Sequence, residues 1–276
     1  MSSGYTVKWQ MFNNNSMIKK LKTYSMYFFE YLKHGDLRSI VASVNYLTKK
    51  TSHSKDRIIK TSIGTFFCRK NTNDFQFANY KYEWGVKKYL LDNRHKYTVF
   101  IDGGACIGDY CVLLSRYDIR CFAFEPIIEN YNVLAENLRL NNLTGDVMAF
   151  PFGLGAKNEH VAFIFNPVNT GASHYAANLQ VTDCEAEIRT FDSLLPIMKI
   201  KPEEHILVKL DIEGMEPQAI KGAKEFIRFY PNITFVVEEK HTGEELIRNA
   251  LNEIADFEYG IVDEFNIFAR KISSSN

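Results

Sequence analysis

The stretch Val99-Phe-Ile-Asp102-Gly103-Gly104-Ala105-Cys106-Ile107-Gly108 carries the reading of the fold. An apolar run ends in an acid, a glycine-rich turn follows, and a helical pattern opens over 108–116, so strand 98–102 feeds a tight turn and a helix. Downstream the rhythm repeats: strand 120–125 and helix 127–140, strand 146–152, strand 205–211 and helix 216–229, strand 233–239 and helix 243–254. Strands alternating with helices at this spacing predict an α/β fold with a doubly wound, mainly parallel sheet covered on both faces. Two closing β-runs, 256–262 and 265–270, share a short turn at Asp263-Glu264 and should pair antiparallel. Residues 153–190 interrupt the alternation with glycine-rich loops and short strands (161–165 and 185–190), as an insertion over a binding site would.

Upstream of the sheet, Met17, Leu21, Tyr24, Phe28 and Tyr31 recur at helical spacing. His34-Gly35-Asp36 reads as a helix stop and a fresh N-cap. Leu37, Ile40, Val41, Val44 and Leu47 form a second apolar stripe. The pattern predicts a helical pair packed on the body or on another subunit of a homo-oligomer. Residues 57–69 read as a β-hairpin turning near Gly64, 71–79 as a polar and aromatic loop, and 81–92 as a helix. The expected organisation is an extension over residues 1–80 followed by one α/β domain over 81–276.

The 33 basic and 33 acidic residues cancel overall but are unevenly placed. Residues 1–60 hold eleven Lys and Arg against three Asp and Glu, and the remainder carries the matching acidic excess. A basic arm on an acidic body is unlike a nucleic-acid enzyme, whose positive charge surrounds its site; the arm reads first as a solvated helical face, and otherwise as a contact for a membrane surface or an acidic partner. No run reaches the roughly 18 apolar residues of a membrane span, and the N-terminus lacks the signature of a secretory signal, which points to a cytoplasmic protein. The five cysteines include no C-x-x-C pair and sit mostly in apolar runs, as reduced buried thiols do.

Sheets of this kind bind ligands beyond the carboxyl ends of their strands. The turn at Gly103 and Gly104 lets backbone approach a ligand closely. An acid placed directly before it, Asp102, would repel a pyrophosphate but attract a cationic sulfonium and an amino-acid ammonium. The next strand ends in Phe124-Glu125-Pro126, 23 residues beyond Asp102, a spacing suited to an acid that holds two ribose hydroxyls. The strand 205–211 ends in Asp211-Ile-Glu213-Gly214-Met215-Glu216, three acids within six residues, costly to gather unless a cation compensates them. Glu216 reads equally well as an acidic start of the following helix.

Ile101-Asp-Gly-Gly-Ala-Cys-Ile-Gly-Asp-Tyr110, Ala123-Phe-Glu-Pro126, Glu136-Asn137, Thr190-Phe-Asp192 and Lys209-Leu-Asp-Ile-Glu-Gly-Met-Glu216 with Lys221-Gly-Ala223 closely resemble the FkbM family of methyltransferases, in order across roughly residues 97–240. The resemblance implies a class I, Rossmann-like methyltransferase fold that uses S-adenosylmethionine and methylates hydroxyls of sugars, glycans and polyketide-type small molecules. It implies that Asp102, Gly103, Gly104 and Gly108 line the cofactor and that Glu125 holds its ribose; Ala105, Asp109, Pro126 and Asp211, in the same motifs, are expected cofactor contacts beside them. Cys106 stands where many members carry Asn, which removes one polar contact.

A hydroxyl is a weak nucleophile, so a base near the methyl group should help. His241 in Glu238-Glu239-Lys240-His241 has a suitable range of titration, and Glu239 could orient it; Glu216, Asp211 and then His174 are the other candidates. No metal-binding pattern stands out. Rival readings are an N-methyltransferase, a cofactor-binding module without catalysis, and an NAD-dependent dehydrogenase, which the acids at 102 and 211–216 disfavour.

Overall fold

The computed structural model describes residues 21–164, 166, 168–172, 174–175 and 184–272. The described residues begin with α1, helical over 21–33, followed by α2 (Leu37–Lys49), the hairpin β1 (Arg57–Lys60) and β2 (Thr65–Cys68), and the short helix α3 (Asp74–Phe77). It continues through α4 (Trp84–Asn93), β3 (Val99–Gly103), α5 (Asp109–Leu114), β4 (Arg120–Phe124), α6 (Ile128–Leu140) and β5 (Val147–Phe150). The inserted region holds β6 (Gly153–Leu154), β7 (Glu159–Ile164), β8 (His174–Tyr175) and β9 (Cys184–Arg189). Then come α7 (Phe191–Met198), β10 (Ile206–Leu210), α8 (Glu216–Lys221), α9 (Lys224–Phe229), β11 (Ile233–Glu238), α10 (Glu244–Asn252), β12 (Phe257–Ile261) and β13 (Asn266–Lys271).

Seven strands form the central sheet in the order β12-β13-β11-β10-β3-β4-β5. The pairs β11–β10, β10–β3, β3–β4 and β4–β5 are parallel, as the alternation predicts. The closing pair is antiparallel, and β13 inserts between β12 and β11 rather than extending the edge. Successive side chains of a strand point to opposite faces. Accordingly Phe100, Cys121, Ala123 and Leu207 join the core that includes Ile107, Val112 and Leu134, while Ile101, Phe122, Phe124 and Val208 join the core that includes Ile220, Phe226 and Leu251. This mainly parallel, doubly covered sheet is the Rossmann-like class I methyltransferase arrangement expected from the sequence.

Three expectations are corrected. The helix expected over 216–229 is two helices. A Cβ at Gly222 would lie 2.0 Å from the Gly155 carbonyl oxygen, and the Asp192 carboxylate accepts the N–H groups of Glu225 and Phe226, which restarts the helix as α9. Helix α7 was not anticipated; Thr190 caps it by accepting the Ser193 N–H. Helix α4 starts at Trp84 rather than 81, because Glu83 sits in left-handed backbone at φ 48°.

The extension shares the first core: Tyr31, Ile59, Phe66 and Phe75 cluster with Ile107, Leu113 and Val133. Asn137 and Asn141 of the α6 region accept the backbone N–H groups of Phe67 and Thr65, which fastens the hairpin to the sheet's helical layer. The α1–α2 joint is as read, with Gly35 at φ 67° and Asp36 accepting from the Ser39 N–H. Its apolar stripes pack only in part, through Tyr31 of α1 and Ile40 of α2, which reach the first core. Leu21, Tyr24 and Phe28 are exposed on α1, as are Leu37, Val41, Val44 and Leu47 on α2, whereas Tyr31, Ser39 and Ala42 are buried. The polar network of Asp36, Ser39, His53 and Arg57 holds the opposite face of α2 inward. Met17 lies outside the described residues.

Candidate functional site

The carboxyl ends of the adjacent strands β10, β3 and β4 bring Asp211, Gly104 and Glu125 to one cleft. The turn after β3 requires its glycine. Gly104 has φ 86°, and a Cβ there would lie 2.0 Å from the Asp211 carbonyl oxygen, so the two loops touch backbone to backbone. Gly104 and Ala105 donate their N–H groups to the Phe124 carbonyl, and the Cys106 N–H donates to Glu125 Oε2 at 2.8 Å. Glu125 Oε1 accepts from the Ile127 N–H at 3.0 Å. Burial raises the Glu125 pKa to about 7, against the pull of these donors.

Of the expected cofactor residues, Gly104, Ala105, Asp109, Glu125, Pro126 and Asp211 line the cleft. Asp102, Gly103 and Gly108 stand behind its wall: Asp102 is 1% exposed, its register partner on β10 is Lys209, and its Oδ1 meets no donor among the described residues. Asp109 is held by an ion pair with the buried Lys87 at 2.8 Å.

Lys209 carries the charge balance of this region. It is 3% exposed, its Nζ lies 2.8 Å from Asp211, and it faces the Tyr110 ring. Burial opposes its charge, but Asp211, Glu83 and Asp102 outweigh that and raise its pKa. The same crowding acts on the acids. Asp102 is pushed up to about 7 by burial despite Lys209, with Asp109 and Asp211 adding to the rise. Glu213 rises to about 7 through burial and Asp211, and Glu238 to about 8 through burial, Asp211 and Glu213 against Lys209. A cation entering the cleft would relieve this excess of negative charge.

Among the expected bases, His241 and Asp211 line the cleft and Glu216 does not. Glu216 is 1% exposed; its Oε1 accepts the N–H groups of Ile212 and Gly214, and its Oε2 accepts the Thr242 hydroxyl. It staples the 211–216 turn, the role its position at a helix start allows. His241 is oriented by Glu213, not Glu239: its Nε2 lies 2.9 Å from Glu213 Oε2. The reason is the left-handed backbone of Glu213 and Gly214, at φ 53° and 101°, which curls the turn toward His241. His174 lies in β8, where its backbone pairs with Ile164; its side chain lies outside the described positions. Glu213, Glu238 and His241 also offer one donor atom each within 4.8 Å of one another, a set able to hold a divalent cation, although the sequence carried no metal pattern.

Several lining residues were not anticipated. Phe77, Tyr82 and Glu83 come from outside the motifs, and the Glu83 carboxylate accepts the Tyr110 hydroxyl at 2.6 Å. The inserted sheet, in the order β6-β9-β7-β8, adds Phe163 and Ile188, and the loop after β7 adds Asn169 and Thr170. That loop is tied down: Thr170 N–H donates to Asn73 Oδ1 at 3.0 Å, and Asn130 Nδ2 donates to the Thr170 carbonyl at 3.1 Å. The sequence signals for the inserted contacts are the break in alternation over 153–190 and the small polar run from Asn169 to Tyr175, a composition able to close over a ligand.

The family model described as the methyltransferase FkbM domain matches residues 102–260. No curated protein matches the sequence. Among solved structures, the chain is similar to the methyltransferase FkbM from Methylobacillus flagellatus KT, at 18% identity and TM-score 0.45 over 72% of this chain and 56% of that one. It therefore spans little more than half of that protein's length. It is also similar to a SAM-dependent O-methyltransferase from Thermotoga maritima, at 13% identity and TM-score 0.43 over 82% and 80% of the two chains. An O-methyltransferase from Bacillus cereus in complex with SAH aligns at 12% identity and TM-score 0.38 over 68% and 80%.

Proposed function

The chain belongs to the FkbM methyltransferase family, and from that premise we propose that it transfers a methyl group from S-adenosylmethionine to a hydroxyl of a saccharide or glycan-like small molecule. The observation that carries the proposal is convergence: the Gly104 turn, Glu125, Asp211 and the His241–Glu213 pair open on a single cleft. The donor set suits this cofactor. Asp102 has a buried oxygen without a donor among the described residues, and the surrounding carboxylates are short of positive charge, as a site for a cation with an ammonium group should be. Asp102 would act through the wall of the cleft, as a charge behind the Gly104 turn. Bound S-adenosylmethionine supplies an electrophilic methyl group whose departure leaves a neutral thioether.

The chain's own residues do the rest. Glu125, pinned by the Cys106 and Ile127 N–H groups, keeps lone pairs for ribose hydroxyls. Alignment of acceptor and donor accounts for much of the rate, up to roughly 7–11 kcal/mol in well-oriented systems. His241 takes the acceptor's proton while Glu213 fixes the ring and stabilises the imidazolium that forms. Glu238, Asp211 and Lys240 surround the acceptor end with groups that hydrogen-bond to hydroxyls.

Two measurements follow. Glu125→Gln keeps the shape but loses the charge; the dissociation constant for S-adenosylhomocysteine should rise about tenfold by calorimetry. Turnover should climb from about pH 6 to about pH 8.5, because the base side of the cluster works only after losing its protons and Glu213 and Glu238 hold theirs up to about 7 and 8. A flat profile would count against a general base here.

Incubation with labelled S-adenosylmethionine and a panel of hydroxyl- and amine-bearing acceptors tests the whole reading. Label stable to periodate-compatible glycan analysis and located on oxygen supports it. Label on nitrogen would favour the N-methyltransferase, and cofactor binding without transfer to any acceptor would favour a non-catalytic module.

A further inference from the structure

We infer that the α1–α2 arm is a docking surface for an anionic lipid membrane. Large apolar side chains turn outward on both helices. On α1 these are Leu21, Phe28, Phe29 and Leu32, with Phe29 at 64% exposure; on α2 they are Leu37, Val41, Val44 and Leu47, with Leu37 at 62%. Apolar exposure concentrated on one element marks an interaction site rather than ordinary surface.

Charge identifies the partner. Between residues 21 and 55 the exposed charged side chains are Lys22, Lys33, Arg38, Lys49, Lys50 and Lys55. The two acids of that segment are buried and satisfied inside the protein. Glu30 accepts the N–H and hydroxyl of Ser62, and Asp36 accepts from Ser39 and pairs with Arg57 at 2.8 Å. The arm therefore presents apolar faces flanked by cations alone, the pattern of a helix that lies in the headgroup boundary of an anionic bilayer. A second copy of the same surface fits poorly, because a two-fold contact sets each patch against its own like and would oppose cation to cation. Residues 61–276 carry the acidic excess, so the attraction is confined to this end and orients the molecule. No described helix is long and apolar enough to cross a membrane.

The arm is coupled to the cleft by a short path. The Tyr31 hydroxyl of α1 donates to the Phe75 carbonyl of α3, and Phe77 of the same short helix lines the cleft. Docking through α1 and α2 would thus hold the site at a set orientation to the bilayer.

Vesicle flotation of the intact chain tests the inference, with phosphatidylcholine vesicles containing or lacking phosphatidylglycerol. The fraction bound should be about tenfold higher on anionic vesicles and should fall sharply at about 0.5 M salt, where surface charge is screened. Phe29→Glu and Arg38→Glu, both at exposed positions, should each reduce binding several-fold while thermal melting and cofactor binding stay unchanged. Absence of binding to anionic vesicles would overturn the inference, as would equal binding to neutral ones. Sedimentation showing a dimer that Phe29→Glu dissociates would overturn it in favour of a second copy.

Discussion

Replacing Lys209 by methionine is expected to destabilise the protein by about 3–5 kcal/mol at neutral pH, the cost of stripping the partner from buried charge. Methionine matches the length of the aliphatic stem, so lost packing contributes little. What remains is Asp102 at 1% exposure, with Asp211 and Glu83 nearby and no cation between them. The loss should depend on pH in a definite direction. Asp102 already holds its proton up to about 7 in the folded chain, above its ordinary value of 3.8. A carboxylate raised in this way binds more protons folded than unfolded, so stability falls as pH rises from the unfolded pKa through the folded one. Without Lys209 the acids rise further, and the deficit should be larger near pH 8 than near pH 5. Urea unfolding at both values checks this. A deficit that is equal at both would mean that Lys209 acts by packing and not by charge. S-adenosylmethionine should restore part of the stability, since it brings positive charge to the same cleft.

Changing His241 to alanine should lower turnover by about 10²–10⁴-fold, the range for a lost general base. The dissociation constant for S-adenosylhomocysteine should stay within about twofold, since the proposed reaction places His241 on the acceptor side of the cleft. His241 is exposed, so its removal costs little stability and an inactive variant should still melt normally. Glu213→Gln makes a useful companion. It leaves the imidazole but removes the 2.9 Å partner that orients it, so an intermediate loss of turnover is expected. A folded His241→Ala protein with unchanged turnover would transfer the proton to Asp211 or Glu238, which share the cleft.

Both predictions concern residues that the sequence showed unequally. His241 was legible because it follows an apolar strand that ends in acids at the ligand-binding edge of the sheet. Lys209 was quoted within a motif but had no reading of its own, since a single lysine inside an apolar strand does not reveal which acids it meets. Its partners come from α4 and its neighbours, β3 and the loop after β10, up to about 130 residues apart in the chain. Glu216 illustrates the opposite error. Its spacing suggested a base, yet its carboxylate is spent on the N–H groups of its own turn.

The sequence by itself determined the sheet, its parallel sense and the edge at which ligands meet it. Strand and helix periodicities are local, and the glycine turn after β3 is forced by backbone sterics that a short window reveals. Tertiary structure alone decided which acids face the cleft and which lie behind it, and that Phe77, Tyr82 and Glu83 of the preceding segment help to wall it. It also decided that most of the apolar stripes of α1 and α2 turns outward, with Tyr31 and Ile40 packed inward. An amphipathic pattern states that a face is apolar, while the polar network of Asp36, Ser39, His53 and Arg57 selects the opposite face for burial. Long-range hydrogen bonds and buried charge pairs of this kind have no periodicity, so only the folded chain could reveal them.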